Sequence, residues 1–250
     1  MKPASPTHRL TRFIRYARLA GHLLHGLGTT ALSYPFITPT RQLRFKQRWS
    51  ARLLKILGVR LVTDAPFVDP GSLLVANHIS WLDVFVINAA YPAAFVSKAE
   101  VRNWPLIGWL ASRNETVFLR RGSRGHARIV NAEIGALLGR QRHVAIFPEG
   151  TTTDGSHVLG FHAALLQPAI RAGAVIQPLA IAYRLPDGSF TRAAAYDDDV
   201  SLLECIRAIV AEPEIVARIR VAPPMPTIDL PDRRALAHAA REAIVARLED

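Results

Sequence analysis

The chain has 250 residues, half of them hydrophobic, a formal net charge of +11 and one cysteine. Such a composition supplies a full core and excludes an intrinsically disordered chain, and the lone Cys205 excludes an internal disulfide and any C-x-x-C metal or redox site. The length suits one large domain, or one domain with a small appendage.

The first elements in the chain carry the charge. Residues 1–63 hold 12 Lys/Arg and no Asp or Glu, whereas the rest of the chain holds 19 basic and 20 acidic side chains. A basic segment this concentrated points to a polyanionic partner, either nucleic acid or an anionic membrane leaflet. At about 100° per residue, Leu10, Phe13, Ile14, Ala17, Ala20 and Leu24 share one arc of a helix, opposite Arg12, Arg15, Arg18 and His22. Between Arg41 and Leu57, Arg41, Arg44, Arg48, Arg52 and Lys55 cluster apart from Phe45, Trp49, Leu53 and Ile56. Leu19 and Lys46 fall on the wrong faces of their wheels. Two basic amphipathic helices fit a membrane-surface anchor, and the same pattern also serves surface helices packed on a core.

Leu19 to Thr40 contains no Lys, Arg, Asp or Glu and is long enough to cross a bilayer. Its two histidines, three glycines and two prolines point instead to a helical hairpin dipping into one leaflet. No small-residue cleavage site follows, so a removed signal peptide is not expected. The sequence therefore divides into a basic helical anchoring segment, 1–57, and a second region, 58–250.

In that second region strands and helices alternate. Apolar runs at Val59–Val62, Ser72–Ala76, Ala94–Ser97, Thr116–Leu119, Val144–Phe147 and Val175–Ala182 read as buried strands. Helical stretches lie near Trp81–Ala90, Pro105–Ser112, Gly125–Leu138 and Phe161–Ala172. A helix at Ser201–Val210, a strand at Ile215–Val221 and a final helix at Arg233–Leu248 complete the chain. This order predicts an α/β fold with a largely parallel central sheet flanked by helices.

Four segments carry chemistry. Asn77-His78-Ile79-Ser80-Trp81-Leu82-Asp83 follows a strand, which puts His78 at a strand's carboxyl end, where open α/β sheets bind ligands. Five residues rotate a helix by about 140°, so His78 and Asp83 meet only if the histidine is in the loop and the aspartate in the first helical turn. The carboxylate then fixes the imidazole tautomer. Ser80 to Asp83 is also an S-x-x-D capping signal, which competes for Asp83. In Phe147-Pro148-Glu149-Gly150-Thr151, a carboxylate, a glycine and hydroxyls at a strand end suit a polar head group; a simple turn is the alternative. In Val117 to Arg124, Arg120, Arg121 and Arg124 surround a Gly-Ser turn, as a phosphate clamp or as a solvated basic turn, with Lys98 as a further cation. Ile176-Gln177-Pro178-Leu179-Ala180 reads as a buried strand.

Together these segments resemble the glycerolipid acyltransferase family that includes the 1-acylglycerol-3-phosphate acyltransferases. NHISWLD, FLRRGSR, FPEGT and the proline-centred strand occur in the family's order, over roughly Gly58 to Pro186. The resemblance implies His78 and Asp83 as the catalytic pair, with Arg121 and Arg124 on the acceptor's phosphate. It also implies Glu149, Gly150 and Thr151 as the acceptor-binding element and Pro178 as a structural or acyl-site residue. The implied donor is a thioester on coenzyme A or acyl carrier protein, and no cofactor or metal is expected. The implied acceptor is a lysolipid, foremost 1-acylglycerol-3-phosphate, or else lyso-ornithine lipid. One departure stands out: the family's glycine three residues before Phe118 is Glu115 here, an acidic residue near the presumed phosphate pocket.

No G-x-S-x-G, P-loop or H-E-x-x-H is present. Gly26-Leu27-Gly28-Thr29-Thr30-Ala31 mimics a dinucleotide fingerprint but follows no strand. The rival from another class is a non-catalytic basic membrane- or nucleic-acid-binding protein. Apolar helix faces, rather than exposed aromatics interleaved with basic residues, argue against nucleic acid. The expected location is the cytoplasmic face of the inner membrane.

Overall fold

The apolar runs from Val59 onward pair into a single sheet of strands three to nine residues long, because β-branched and leucine-rich segments can bury both faces only between helix layers. The computed structural model describes residues 7–65, 68–120, 124–197, 200–229 and 232–249. Helices α1 (Arg9–Leu32) and α2 (Pro39–Leu57) precede strand β1 (Val59–Thr63). There follow β2 (Leu73–Ala76), α3 (Asp83–Ala90), β3 (Ala93–Lys98), α4 (Ile107–Arg113), β4 (Val117–Leu119), α5 (Arg124–Gly139) and β5 (His143–Ile146). The chain closes with α6 (Gln167–Ala172), β6 (Ile176–Arg184), α7 (Leu202–Ala211), β7 (Ile215–Val221) and α8 (Arg233–Glu249).

The strand order is β1-β7-β6-β2-β5-β3-β4. The five strands β2 to β6 run parallel; β7 lies antiparallel to β6, and β1 runs parallel to β7. The carboxyl ends of β2, β3, β4, β5 and β6 therefore share one edge of the sheet. All four residues of β2 are buried, as its central place requires. Alternation along β6 separates two cores: Leu179, Ile181 and Tyr183 pack with α2, α3 and α7, while Ala180 packs with α5, α6 and α8.

Local signals fix the ends of several helices. Thr38 accepts from the Arg41 amide ahead of Pro39 to start α2, and Gly58 at φ +80 stops it. Ser201 and Glu204 form a reciprocal capping box on α7.

The first two helices differ from expectation. A continuous α1 reaches Leu32, so the hairpin reverses over residues 33–38 rather than within Leu19–Thr40 as a whole. Among the described residues, no helix is long and apolar enough to cross a membrane. The residues on the wrong wheel faces are the buried ones: Leu19 and Lys46 are each 9% exposed. On α1 the packed face is Leu19, His22, Gly26 and Thr30, and Arg15 donates to the carbonyls of Val210, Glu212 and Pro213. The apolar arc of Leu10, Phe13, Ile14 and Leu24 faces outward, with Phe13 and Leu24 each 69% exposed. His22 and Trp49 staple α1 to α2: their rings stack at 4.4 Å, and each ring nitrogen meets the other residue's carbonyl, at 3.0 and 3.2 Å. On α2, Leu53, Leu54, Ile56 and Leu57 enter the same core as α3 and the sheet.

Candidate active site

The site begins where β2 runs out. Asn77 extends the β2–β6 ladder with its side chain, whose amide donates to the Ile181 carbonyl at 2.9 Å and whose oxygen accepts the Ile181 amide at 2.7 Å. The next residue, His78, is released from pairing at a fixed place on the carboxyl edge. Its Nδ1 lies 2.8 Å from Asp83 Oδ2. A carboxylate only accepts, so Nδ1 carries the proton and Nε2 is left as the ring's acceptor. The imidazole stacks on Phe147 with centroids 4.0 Å apart and remains 20% exposed, while Asp83 is fully buried.

Asp83 opens α3, as the five-residue spacing required. Its Oδ2 also accepts the backbone amides of Ile79 and Ser80, at 2.8 and 2.9 Å. The expected competition for Asp83 is thus resolved on one oxygen, which reaches back to the helix start and holds the histidine together. Ser80 is not the helix cap, for its hydroxyl bonds to none of the α3 amides and Leu82 occupies the cap position. The other oxygen, Oδ1, accepts the Tyr183 hydroxyl at 2.7 Å. Tyr183 is wholly buried, and burial first, then the Asp83 charge, raises its phenol well above the ordinary value. Tyr183 and Asn77 were not singled out from sequence. A tyrosine in an apolar strand 100 residues from its partner gives no local sign of either contact.

The FPEGT loop closes on the histidine's backbone. Glu149 accepts the His78 amide at 2.7 Å on one oxygen and the Leu159 amide at 2.7 Å on the other, and the Thr153 amide donates to the His78 carbonyl at 2.9 Å. Glu149 is only 5% exposed, so its carboxylate is occupied from within the protein. Burial raises its pKa, against the two amide bonds that lower it. Gly150 turns the loop at φ +75, a conformation that favours glycine, and Thr151 stands exposed beside it.

Of the expected cations, Lys98 stands exposed at the carboxyl end of β3, and Arg120 follows β4 at the same edge. Arg121, and the side chain of Arg124, lie outside the described residues. Pro178 is buried in β6 opposite Val75, and its carbonyl accepts the Ala222 amide at 3.1 Å. Its position is inside the sheet, below the site.

Glu115 requires a correction. It precedes β4 and so lies at the amino edge of the sheet, on the order of 15 Å from the level of His78 along the strands. There it pairs with Arg142. Its φ is +62, a left-handed backbone conformation that glycine adopts without strain. Lys46, buried nearby, donates to the carbonyls of Ala93 at 3.0 Å and Asn114 at 3.3 Å.

A buried carboxylate, an oriented imidazole with one free nitrogen, and a loop gripping that imidazole's backbone can together take a proton from an incoming hydroxyl. The comparisons agree with the class of chemistry. Residues 59–182 match the family model described as Acyltransferase. The chain is 40% identical over 245 residues to a lyso-ornithine lipid O-acyltransferase of Pseudomonas aeruginosa, covering 94% of this chain and 93% of that one. It is 35% identical over 194 residues to a 1-acyl-sn-glycerol-3-phosphate acyltransferase of Neisseria meningitidis, covering 78% and 76%. The crystal structure of the 1-acyl-sn-glycerophosphate acyltransferase PlsC from Thermotoga maritima superposes with a TM-score of 0.73 over 96% of this chain and 94% of that one, at 19% identity, and so shares the fold. This chain belongs to the acyltransferase family. It is an enzyme, an O-acyltransferase, and the non-catalytic reading of the basic segment falls away.

Proposed function

We propose that this enzyme moves a fatty acyl chain from a thioester of coenzyme A or acyl carrier protein to the free hydroxyl of a lysolipid, with His78 as general base. The observation that carries the reading is the His78–Asp83 contact at 2.8 Å, with the histidine's own amide and carbonyl both held by the FPEGT loop. Nε2 takes the proton as the hydroxyl oxygen attacks the thioester carbonyl, and Asp83 stabilises the imidazolium. The C–S bond then breaks, and the departing sulfur receives the proton from His78. The thioester is already activated, so the step needs neither a covalent enzyme intermediate nor a metal.

Glu149 and Asn77 position the histidine. Lys98, Arg120, Arg121, Arg124, Gly150 and Thr151 border the carboxyl edge in sequence and are assigned to the anionic group of the acceptor's head, the ornithine carboxylate or the phosphate. The acceptor proposed first is lyso-ornithine lipid, because the relative so named matches nearly the whole chain, the first two helices included. The 1-acylglycerol-3-phosphate reading is the second, and the position of Glu115 removes the objection to it. The exposed apolar arc of α1 and the 12 cations of residues 1–63 suit an anionic leaflet on the cytoplasmic side, where acyl thioesters are found.

The test incubates purified enzyme with acyl-CoA or acyl carrier protein and a panel of lysolipids. His78→Ala is expected to lower turnover by about 10²–10⁴-fold with the fold intact by circular dichroism, and Asp83→Asn to lower it as well. Undiminished turnover in His78→Ala protein sinks the mechanism. Acylation of the phosphate acceptor alone replaces the acceptor assignment and leaves acyl transfer standing.

A further inference from the structure

A second apolar surface stands apart from α1. After the 3-10 turn Ala99–Asn103, the sequence Trp104-Pro105-Leu106-Ile107-Gly108-Trp109 leads into α4 with its large side chains turned outward. Trp104 is 50% exposed, Leu106 62%, Ile107 45% and Trp109 37%. Of the four tryptophans in the chain, the other two, Trp49 and Trp81, pack against the core.

The geometry is fixed rather than loose. The Gly108 amide donates to the Trp104 carbonyl at 2.9 Å and the Ile107 amide to the Pro105 carbonyl at 2.6 Å. A Cβ on Gly108 would stand 2.1 Å from the Arg102 carbonyl, so the turn closes only on glycine. Leu106 sits at φ +61 and ψ −48, the rare and strained γ-turn conformation closed by that Ile107-to-Pro105 bond, and the residue so strained is the most exposed of the group. Backbone strain that displays an apolar side chain to the outside is a cost without return in water.

Three features choose the occupant. Between Lys98 and Arg113 there are three cations and one carboxylate, and Arg102 and Arg113 lie over the rings of Phe118 and Trp109, at 5.7 and 5.9 Å. Tryptophan with flanking arginine is the composition of the lipid head-group boundary. In addition, α4 packs against α1, and Tyr34, just past the end of α1, bonds to Asn114 at the end of α4, so the exposed Leu32 and Phe36 of the hairpin turn belong to the same end of the molecule. The segment also starts at the carboxyl end of β3, on the edge that carries His78.

We infer that the Trp104–Trp109 knuckle is a membrane-contact element in its own right, seating an anionic bilayer beside the His78 site where an acceptor lipid leaves the leaflet. This rests on the lysolipid reading of the site, but its first readout does not depend on turnover. The experiment uses the full chain and vesicles of phosphatidylethanolamine and phosphatidylglycerol with brominated acyl chains. Tryptophan emission is expected to be quenched on binding, and most of that quenching to vanish in the Trp104→Phe/Trp109→Phe protein, which keeps both aromatic contacts. Leu106→Asp/Ile107→Asp should weaken vesicle binding at least about tenfold, the loss of two apolar side chains from lipid. It should also slow turnover of vesicle-embedded lysolipid while sparing detergent-dispersed lysolipid. Undiminished quenching in the double Phe protein overturns the inference, as does equal loss of turnover in vesicles and detergent. So does a lipid-free dimer that the Asp substitutions dissociate, which would make a second copy the occupant. A wild-type enzyme that acylates no lysolipid would defeat the functional reading and leave the quenching result to stand or fall alone.

Discussion

At the scale of single residues, the site depends on a carboxylate held by four hydrogen bonds, three on one oxygen and one on the other. Asp83 accepts from His78 Nδ1, the amides of Ile79 and Ser80, and the Tyr183 hydroxyl, so neither oxygen can swing away from the imidazole. Tyr183 reaches no reacting atom and acts through Asp83 as a positioning residue. Removing its hydroxyl leaves Oδ1 buried without its donor, a loss of about 1–3 kcal/mol. Tyr183→Phe is therefore expected to destabilise the fold by that amount and to lower kcat about tenfold with KM for the acceptor unchanged. The decisive measurement is kcat against pH, whose His-dependent limb should move in the variant. A purely structural tyrosine would lower stability and leave that limb in place.

At the scale of elements, the α1–α2 hairpin is held by a close approach that only glycine permits. A Cβ on Gly26 would stand 2.5 Å from Trp49 Nε1, inside the ring pair that staples the two helices. Gly21, one and a half turns earlier on the same helix, has nothing within 4 Å of its Cβ position. The two glycines should respond oppositely. Gly26→Val is expected to cost roughly 1–3 kcal/mol through overpacking, and Gly21→Ala to add about 0.5–1 kcal/mol through helix propensity. Urea unfolding of both variants checks the pair, and similar signs for the two would show that the helices are not clamped at Trp49.

At the scale of the molecule, the sheet carries the His78–Asp83 pair at one edge and a second charge cluster at the other. His78, Lys98 and Arg120 mark the carboxyl edge, while Lys46, Glu115 and Arg142 gather at the amino edge. Burial pulls Lys46 down to about 8 from its ordinary 10.5, with Glu115 opposing the shift and Arg142 adding to it. Between those values the unfolded chain binds a proton that the folded one does not, so stability rises with pH across the window, by about 1.4 kcal/mol per unit at most. Tyr34, which bonds to Asn114 at 3.1 Å, is pushed up to about 12 by burial and then by Glu115. That group keeps its proton longer when folded, and its contribution is lost as pH climbs from 10 toward 12. Burial also raises the Cys205 thiol above its ordinary 9.0, which opposes the Lys46 slope above pH 9. Urea unfolding should therefore show stability rising from pH 8 to about 9 and then levelling before it falls above 10, a rise that Lys46→Met abolishes.

The sequence by itself determined what depends on short-range pattern. Apolar runs punctuated by glycine and proline placed the strands among the described residues and most helices between them, though the helix expected over Phe161–Ala172 is α-helical only from Gln167, after a 3-10 turn at Ala163–Leu166. The His78-to-Asp83 spacing required a loop followed by a helix start, and Asp83 is the first residue of α3. Tertiary structure alone decided which faces meet. The wheel for α1 identified two sides correctly but could not say that the side with Leu19 and His22 would pack inward, because the preference of a face depends on what lies opposite. It placed Glu115 close to a phosphate pocket because the two are close in sequence, whereas a strand carries its ends to opposite edges of a sheet. It could not supply Tyr183 or the grip of Glu149 on the His78 amide, since both contacts close loops of 100 and 71 residues. Local order is written in neighbouring residues; a buried carboxylate held on both oxygens is assembled only when distant strands are brought side by side.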